Sequence, residues 1–332
     1  MEMVMRAELT AATLLASFTI VMAIMPILII KLKKRGIVAI DYYKNELRKI
    51  PTRGGVAILA VVLLMFGLAV LLEQLSIPIH VSEVEWAMML VVVLFGVFGA
   101  VDDFADVGRH TKIFLPFFFS FPLLFVIDST TITLPFIGCL NFGVFYLILI
   151  VPIYVMVVAN LVNMHSGFNG LVSGLMVIFF AFLLIKTAVI GCNSVFMLSC
   201  MLGATLGFFW YNRYPARIFL GNIGSLSIGA AVGVVIVAYG FLVSGFIMLI
   251  PHTVNFLMYV YWRLMHWLHP EDERWKIVKF GRVREDGTLE VPNCLTLKWV
   301  LPYYFRMTEK QAVLAMYALT MPFCLIALFI PY

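Results

Sequence analysis

The sequence predicts an all-α protein whose helices cross a membrane about ten times. Three observations support this fold class. Hydrophobic residues make up 63% and charged residues only 12% of the 332 residues, a composition far too apolar for a soluble domain. Apolar runs of roughly 20 residues, long enough to cross a bilayer as a helix, recur along the chain. The polar segments between these runs are short, which is typical of a polytopic helical bundle.

The apolar runs set the predicted order of the spans. No small-residue cleavage site accompanies the first run, so we interpret it as a retained span and not as a signal peptide. The whole chain, 1–332, is then one membrane domain, with residues 263–310 as its one sizeable segment outside the bilayer. The predicted spans cover residues 10–30, 54–73, 85–101, 113–127, 143–160, 168–190, 193–211, 223–240, 241–262 and 311–330.

The basic residues are concentrated between alternate spans. Of the 23 Lys and Arg residues, all except Arg6 and Lys186 lie in segments 31–53, 102–112, 212–221 and 263–310. Because cytoplasmic loops of membrane proteins are enriched in Lys and Arg, this side is predicted to face the cytoplasm, with both termini outside. The net charge of +5 thus reflects membrane topology, and no basic stripe with interleaved aromatic residues predicts a nucleic-acid partner.

Two polar clusters lie early on this basic side. Cluster 1, residues 50–55 (Ile-Pro-Thr-Arg-Gly-Gly), opens the second span and is either a substrate contact or a turn that begins a helix. Cluster 2 contains three carboxylates and two basic residues: Asp102, Asp103, Asp106, Arg109 and Lys112. Carboxylates suit a divalent cation and a lysine suits a phosphate. The alternative is a solvated acidic loop that pairs with its own Arg and Lys.

Cluster 3, residues 160–170, interrupts two apolar spans with three asparagines, a serine and two glycines. Amide oxygens can ligate a cation and amide nitrogens can donate to phosphate, so Asn163 and Asn169 are candidate binding residues. A turn between helices also uses Asn and Gly, but it needs fewer of them. His165 in this cluster fits a polar loop residue better than a metal ligand.

Cluster 4, residues 217–225, opens the eighth span. Free N–H groups at the start of a helix suit an anion. Phe219 in this cluster either stacks on a nucleobase or packs at the membrane interface, as single aromatic residues near spans usually do.

The last basic segment is predicted to contain a β-hairpin outside the bilayer. Residues 276–283 and 288–291 would form its strands, because the Asp286-Gly287 pair between them suits a type I′ turn. Such a hairpin would cover a ligand pocket on the basic side. Arg274 and Arg282 are then the residues expected to contact the bound substrate.

The four clusters, in this order, resemble those of the polyprenyl-phosphate N-acetylhexosamine-1-phosphate transferases. That family includes the bacterial phospho-MurNAc-pentapeptide translocase and the eukaryotic dolichyl-phosphate GlcNAc-1-phosphotransferase. The resemblance covers nearly the whole chain and is most specific in Val101-Asp102-Asp103, Lys112 and residues 160–171. Cluster 3 has amides where bacterial members usually carry aspartates, which makes the chain more similar to the eukaryotic and archaeal type.

The resemblance implies an enzyme and a division of roles among the clusters. The implied reaction transfers N-acetylhexosamine 1-phosphate from a UDP-sugar, expected to be UDP-GlcNAc, to a polyprenyl or dolichyl phosphate, and releases UMP. Mg²⁺, or Mn²⁺ in its place, is the implied cofactor. Asp102 and Asp103 would orient or deprotonate the lipid phosphate, Lys112 would bind the diphosphate, Asn163 and Asn222 would hold the metal, and Asn169 and Phe219 would hold uridine.

One residue departs from the family pattern. Asn222 stands where the family usually has an aspartate that helps to hold the metal. An amide oxygen can still ligate Mg²⁺, but it brings no formal charge. Asp106, at a position where the eukaryotic pattern tends to have Asn, is expected to offset the missing charge from the substrate side.

Two other functions are compatible with parts of the sequence. A phospho-MurNAc-pentapeptide translocase-like enzyme would share the same fold, but the amides of cluster 3 argue against it. A secondary transporter would place its polar groups at mid-bilayer within repeated halves, and no such repeat is evident. The membrane is expected to be the plasma membrane in a prokaryote and the endoplasmic reticulum in a eukaryote. The oligomeric state stays open, with a homodimer among the arrangements allowed.

Overall fold

The apolar runs of the sequence form helices in the computed structural model, which describes residues 2–77, 79–105, 107–191 and 195–331. Helices suit these runs because each helix satisfies its own backbone hydrogen bonds without water. The helices are α1 (Glu2–Lys34), α2 (Gly55–Gln74), α3 (Glu83–Ala105), α4 (Arg109–Phe119), α5 (Val151–Met164), α6 (Leu171–Val189), α7 (Phe196–Asn212), α8 (Gly221–Ala238), α9 (Leu242–Met248), α10 (Ile250–Leu268), α11 (Leu297–Tyr304) and α12 (Glu309–Leu328). Single 3₁₀ or π-helical turns cover Phe121–Phe125, Tyr146–Ile150 and Glu273–Trp275.

Among the described residues, seven helical stretches are long and apolar enough to cross a membrane: α1, α2, α3, α6, α8, α12, and α5 together with the π-helical turn before it (Tyr146–Met164). An eighth span results if α9 and α10, which meet at a bend of 62°, count as one broken span. Within the described residues, the prediction of about ten spans is therefore not confirmed. The predicted spans 113–127 and 193–211 correspond to α4 and α7, whose 11 and 17 residues are short for a bilayer-crossing helix.

α8 lies at the centre of the bundle. Its side chains from Ile223 to Val237 are buried, and it packs most extensively on α3 and α5. Gly224, Gly229 and Gly233 recur along it, and small residues of this kind let membrane helices approach closely. The N-terminal end of α8 is consequently held between the ends of α2 and α3, where clusters 1, 2 and 4 lie.

The crossing of α2 and α8 leaves no room for a methyl group. A Cβ atom on Gly55 would lie 2.1 Å from the Cα of Gly224. We expect Gly55→Ala to force the two helices apart and to lower the free energy of unfolding by about 1–3 kcal/mol. Gly67→Ala is the matched control, because it lies on the same helix with nothing within 4 Å of its Cβ position. Thermal unfolding of both variants tests this, and equal melting temperatures would contradict it.

Within the described residues, three short antiparallel hairpins lie between the helices. They pair β1 (Val38–Asp41) with β2 (Arg48–Pro51), β3 (Thr131–Leu134) with β4 (Gly138–Asn141), and β5 (Arg282–Val283) with β6 (Leu289–Glu290). The β5–β6 ladder is shorter than the strands predicted over 276–283 and 288–291. The reason is that Phe280 turns toward the first hairpin, where its ring stacks on Tyr42 with centroids 4.0 Å apart. The preceding residues therefore do not continue the ladder.

Candidate active site

The polar clusters meet at one end of the bundle, and cluster 4 is their common neighbour. The N–H of Gly54 in cluster 1 donates to the carbonyl of Phe219 in cluster 4 over 2.8 Å. Asp103 of cluster 2 accepts a hydrogen bond from the N–H of Asn222. The structure thus brings together six of the residues predicted from sequence: Asp102, Asp103, Lys112, Asn163, Phe219 and Asn222.

Asp102 is buried at the end of α3 and is held by three donors. Its carboxylate lies 2.8 Å from the Nζ of Lys112, accepts the side-chain amide of Asn222 over 2.8 Å and accepts the N–H of Val107 over 3.0 Å. The ion pair is a feature of the alternative interpretation of cluster 2, in which the acidic loop pairs with its own lysine. The Asp102 carboxylate, however, is buried and bound to Asn222 of cluster 4, so it does not belong to a solvated loop, although Lys112 itself is only half-buried.

The Asp103 carboxylate lies at the N-terminus of α8. It accepts the N–H groups of Asn222 over 3.0 Å and Ile223 over 3.2 Å, at the helix end whose dipole favours a negative charge. Gly221 permits this approach, because its φ of +74° is left-handed and a Cβ there would lie 2.9 Å from the Asp103 Oδ2. The guanidinium of Arg53 donates to the Asp103 carbonyl. Cluster 4 therefore holds the carboxylate, and cluster 1 holds the backbone of the same residue.

A cavity of about 250 Å³ opens beside these groups. Asn163 and Asn222 contribute amide groups to its lining, and the half-buried Phe219 and the stacked pair of Tyr42 and Phe280 contribute aromatic surface. Ligand sites commonly combine an apolar or aromatic lining with a few placed polar groups. This cavity thus suits a ligand that has both a planar ring and a polar or anionic part.

Asn169 lines the same cavity, but the protein itself occupies its amide group. Its backbone N–H and its side-chain nitrogen both donate to Glu309, over 2.6 and 2.8 Å. Its side-chain oxygen accepts the N–H of Ala216 over 2.7 Å. The buried carboxylates of Glu309 and Asp41 share the ammonium group of Lys44. Asn169 therefore joins the first basic segment to the starts of α6 and α12.

Sequence reasoning missed Asp41, Lys44 and Glu309. Weak local signals exist for each of them. The carboxylate and the lysine of the first basic segment are three residues apart, and Thr308 with Gln311 forms a capping box that begins α12 at Glu309. Such patterns predict local structure, whereas the contact between Lys44 and Glu309 joins residues 265 positions apart.

The predicted contacts from the last basic segment lie elsewhere. Arg274 is exposed and pairs with Asp272 over 2.7 Å, and Arg282 is exposed in β5. Neither of them lines the cavity; the residue of this segment that does so is Phe280. Asp106 lies outside the described residues.

A buried histidine and a lysine lie behind the cavity. His165, predicted as a polar loop residue, is instead fully buried, with its ring edge-on to that of His252 at 4.5 Å. Burial, reinforced by His252 and Lys298, lowers the pKa of His165 well below its usual value, so this ring is neutral at pH 7. The amine of Lys298 donates to the carbonyl of Ser166, and burial lowers the pKa of Lys298 to about 8.

The side chains at the site suit a magnesium ion that binds together with a phosphate. Among the described residues, no group of three or more His, Cys, Asp or Glu side chains is placed to hold a metal. The available donors are the carboxylates of Asp102 and Asp103 and the amides of Asn163 and Asn222. Mg²⁺ prefers oxygen ligands and is commonly held by one or two carboxylates, water and substrate phosphates. The donor set therefore fits such an ion.

Asn222 gives a direct test of the electrostatics of this donor set. In Asn222→Asp, an acceptor replaces the amide that donates to the Asp102 carboxylate over 2.8 Å, so two carboxylates face each other. In EDTA, we expect the free energy of unfolding of this variant to be about 1–3 kcal/mol lower than that of the wild type. Addition of Mg²⁺ should then raise the melting temperature of the variant more than that of the wild type. Asn160→Asp is the control, because that amide donates to a backbone carbonyl. Equal melting temperatures of Asn222→Asp and wild type in EDTA would contradict this.

The sequence is similar to that of a known family and to those of several known proteins. The sequence pattern of glycosyl transferase family 4 matches residues 85–240, which contain clusters 2, 3 and 4. A protein of Saccharolobus solfataricus is 30% identical over 310 residues, covering 89% of this chain and 88% of that protein. A protein of Sulfolobus acidocaldarius is 29% identical over 305 residues, with the same coverage of 89% and 88%. Both carry the provisional name UDP-N-acetylglucosamine–dolichyl-phosphate N-acetylglucosaminephosphotransferase.

Bacterial relatives match a shorter part of the chain. The phospho-N-acetylmuramoyl-pentapeptide-transferase of Clostridium botulinum is 32% identical over 242 residues, which cover 68% of this chain and 72% of that protein. The archaeal proteins thus match a larger share of the chain. This agrees with the similarity to the eukaryotic and archaeal type that cluster 3 indicates.

Proposed function

The chain belongs to glycosyl transferase family 4, and from this premise we propose that it transfers N-acetylglucosamine 1-phosphate from UDP-GlcNAc to a polyprenyl or dolichyl phosphate. The observation that carries the proposal is the convergence of Asp102, Asp103 and Lys112 with Asn222 beside an aromatic-lined cavity. The names of the archaeal relatives, which match along nearly the whole chain, supply the donor and acceptor classes.

In the proposed reaction, an oxygen of the lipid phosphate attacks the β-phosphorus of the UDP-sugar. The bond between that phosphorus and the oxygen bridging to the α-phosphorus breaks, UMP leaves, and a polyprenyl-diphospho-GlcNAc remains in the bilayer. Two anionic substrates repel each other, so the site has to neutralise phosphate charge and fix the geometry of attack. Lys112 and Arg53 bring positive charge to the site for this purpose.

The residues of the chain divide this work. Lys112, which pairs with Asp102, would contact the diphosphate, and Asp103 would orient the lipid phosphate or accept its proton. Asn163 and Asn222, with these carboxylates, would hold Mg²⁺ or Mn²⁺, which supplies positive charge to the phosphates when it is bound. Phe219 offers a ring face to the uracil, and Asn169 shapes the adjoining wall through its contacts with the protein.

The arrangement of the chain in the membrane is also a proposal. We propose that α4 and α7 cross the bilayer as well, which gives ten spans. We also propose that the basic side with its cavity faces the cytoplasm, because basic residues concentrate there. The β5–β6 segment would cover the cavity through Phe280. Contacts of Arg274 and Arg282 with substrate would require this segment to move, and Asp106 is proposed to assist substrate binding.

The direct test is UMP release by the purified protein in detergent, given UDP-GlcNAc, a polyprenyl phosphate and Mg²⁺. We expect UMP only when lipid, sugar nucleotide and metal are all present, with EDTA abolishing release and fresh Mg²⁺ restoring it. Release with UDP-MurNAc-pentapeptide but not with UDP-GlcNAc would favour the function named for the bacterial relatives. No release with any UDP-sugar or lipid carrier, in folded protein, would overturn the transferase and direct attention to transport.

A further inference from the structure

A second cavity, of about 400 Å³, lies outside the candidate active site. It is formed by the end of α7, the loop of residues 213–217 and the first half of α12. Asn169 lines both cavities, and its hydrogen bonds to Ala216 and Glu309 form the partition between them. Nothing in the proposed reaction uses this second cavity.

The lining of the second cavity is strongly basic. Arg213, Arg217 and Lys310 line it, and no carboxylate does. All three side chains are exposed, and within the described part of the chain none of them lies within ion-pair distance of a carboxylate. The guanidinium of Arg213 lies 3.6 Å from the ring centroid of Trp210, which keeps it at the cavity wall. Three cations without counter-ions indicate an anionic ligand.

The same cavity also has an apolar and aromatic wall with exposed side chains. Leu314 on α12 is 52% exposed and Trp210 on α7 is 47% exposed, and both lie near the basic ends of apolar helices. Trp and Tyr residues favour the level of the lipid headgroups, and Tyr214 also lines the cavity. A soluble anion would gain nothing from this apolar wall. A lipid, by contrast, brings an anionic headgroup and an apolar chain together in the same arrangement.

We propose that the second cavity binds the headgroup phosphate of an anionic phospholipid from the leaflet on the basic side. Basic pockets between membrane helices are suited to such headgroups, since each Lys or Arg near an anionic surface strengthens binding about fivefold. The partition at Asn169 separates this phosphate from Asp102 and Asp103. The bound lipid is therefore a structural or regulatory ligand and not the acceptor substrate.

The partition also links the two cavities. Ala216 lies between Arg213 and Arg217 in the loop, and its N–H holds the Asn169 oxygen over 2.7 Å. Glu309, which holds the Asn169 nitrogen, directly precedes Lys310. A headgroup that binds these cations stabilises both supports of Asn169. Resting on the proposed function, this predicts faster transfer in anionic than in zwitterionic membranes.

Binding is tested by native mass spectrometry of the full-length protein in detergent, titrated with phosphatidylglycerol or phosphatidylcholine. Arg213→Gln/Arg217→Gln/Lys310→Gln is the test variant. The matched control is Lys31→Gln/Lys33→Gln/Lys34→Gln, which removes three exposed charges from the same side at the end of α1. We expect phosphatidylglycerol affinity to fall at least about tenfold in the test variant and less than about twofold in the control.

Three results would overturn the proposal: no preference for phosphatidylglycerol in the wild type, equal losses in both triple variants, or full displacement of the lipid by inorganic phosphate. The last would identify a free-anion site. If the test variant does not fold, single Arg217→Gln and Lys310→Gln variants should each lose about fivefold. The ratio of UMP release in phosphatidylglycerol and phosphatidylcholine vesicles then tests the coupling. Absence of UMP release everywhere would overturn the proposed function and leave the binding result standing.

Discussion

Replacement of Asp103 by asparagine is expected to lower the rate of UMP release by about 10³-fold, within the range measured for loss of a positioned acid or base. The substitution keeps the size of the side chain and removes its charge and basicity. The carboxylate stands at the N-terminus of α8, where it accepts two N–H groups. Its backbone carbonyl is held by Arg53, so its position is fixed before substrate binds.

Because Asp103 also holds α8, a purely structural role has to be distinguished from a chemical one. An asparagine can accept one of the two N–H groups but turns its own NH₂ toward the other, so about 1–3 kcal/mol of stability should be lost. We expect the variant to remain folded, with kcat reduced far more than the melting temperature implies. Glu83→Gln, an exposed carboxylate at the opposite end of the same helix, is the control and should keep full activity. A loss of rate that merely follows the unfolded fraction would contradict a chemical role.

The parts of the site that could be predicted from sequence are those whose residue types imply a function and whose positions follow from the hydrophobic pattern. Asp102 and Asp103 are adjacent carboxylates at the end of an apolar run, a costly placement that implies function. Clusters 1 and 4 each begin a helix, and backbone hydrogen bonds join the two clusters in the structure. Their meeting could be expected because all four clusters fall between spans on the same basic side.

Other features could not be predicted, because they depend on contacts between distant parts of the chain. The Asn169 amide could equally have faced a ligand; only the fold shows that Ala216 and Glu309 occupy it. The span count also depended on geometry. Apolar runs alone do not show that α7 is one residue shorter than the shortest candidate span, or that α9 and α10 meet at 62°. The long strands of the last hairpin were predicted from the Asp286-Gly287 turn. The turn does not show that Phe280 stacks on Tyr42, so that the residues before β5 leave the ladder.

Lys44→Met is expected to have the largest effect on stability. Lys44 lies 3.1 Å from Asp41 and also pairs with Glu309, and each of these carboxylates is only 2% exposed. Without the ammonium group, two buried carboxylates remain on either side of Asn169, and among the described residues no other cation is within ion-pair distance of them. Removing one partner from a buried ion pair costs about 3–5 kcal/mol, which corresponds to a fall of roughly 5–10 °C in melting temperature.

The matched control is Lys49→Met, which removes the same charge from an exposed position in β2 of the same basic segment. It should melt close to the wild type. The double variant Lys44→Met/Glu309→Gln should recover more than half of the lost stability. It removes one of the two negative charges and keeps an oxygen that can accept a hydrogen bond from Asn169. Acidification should also help Lys44→Met selectively, because protonating Glu309 relieves the repulsion. Equal melting temperatures of Lys44→Met and Lys49→Met at pH 7 would show that the ion pair does not join the first basic segment to α12. The partition between the two cavities would then depend on the hydrogen bonds of Asn169 alone.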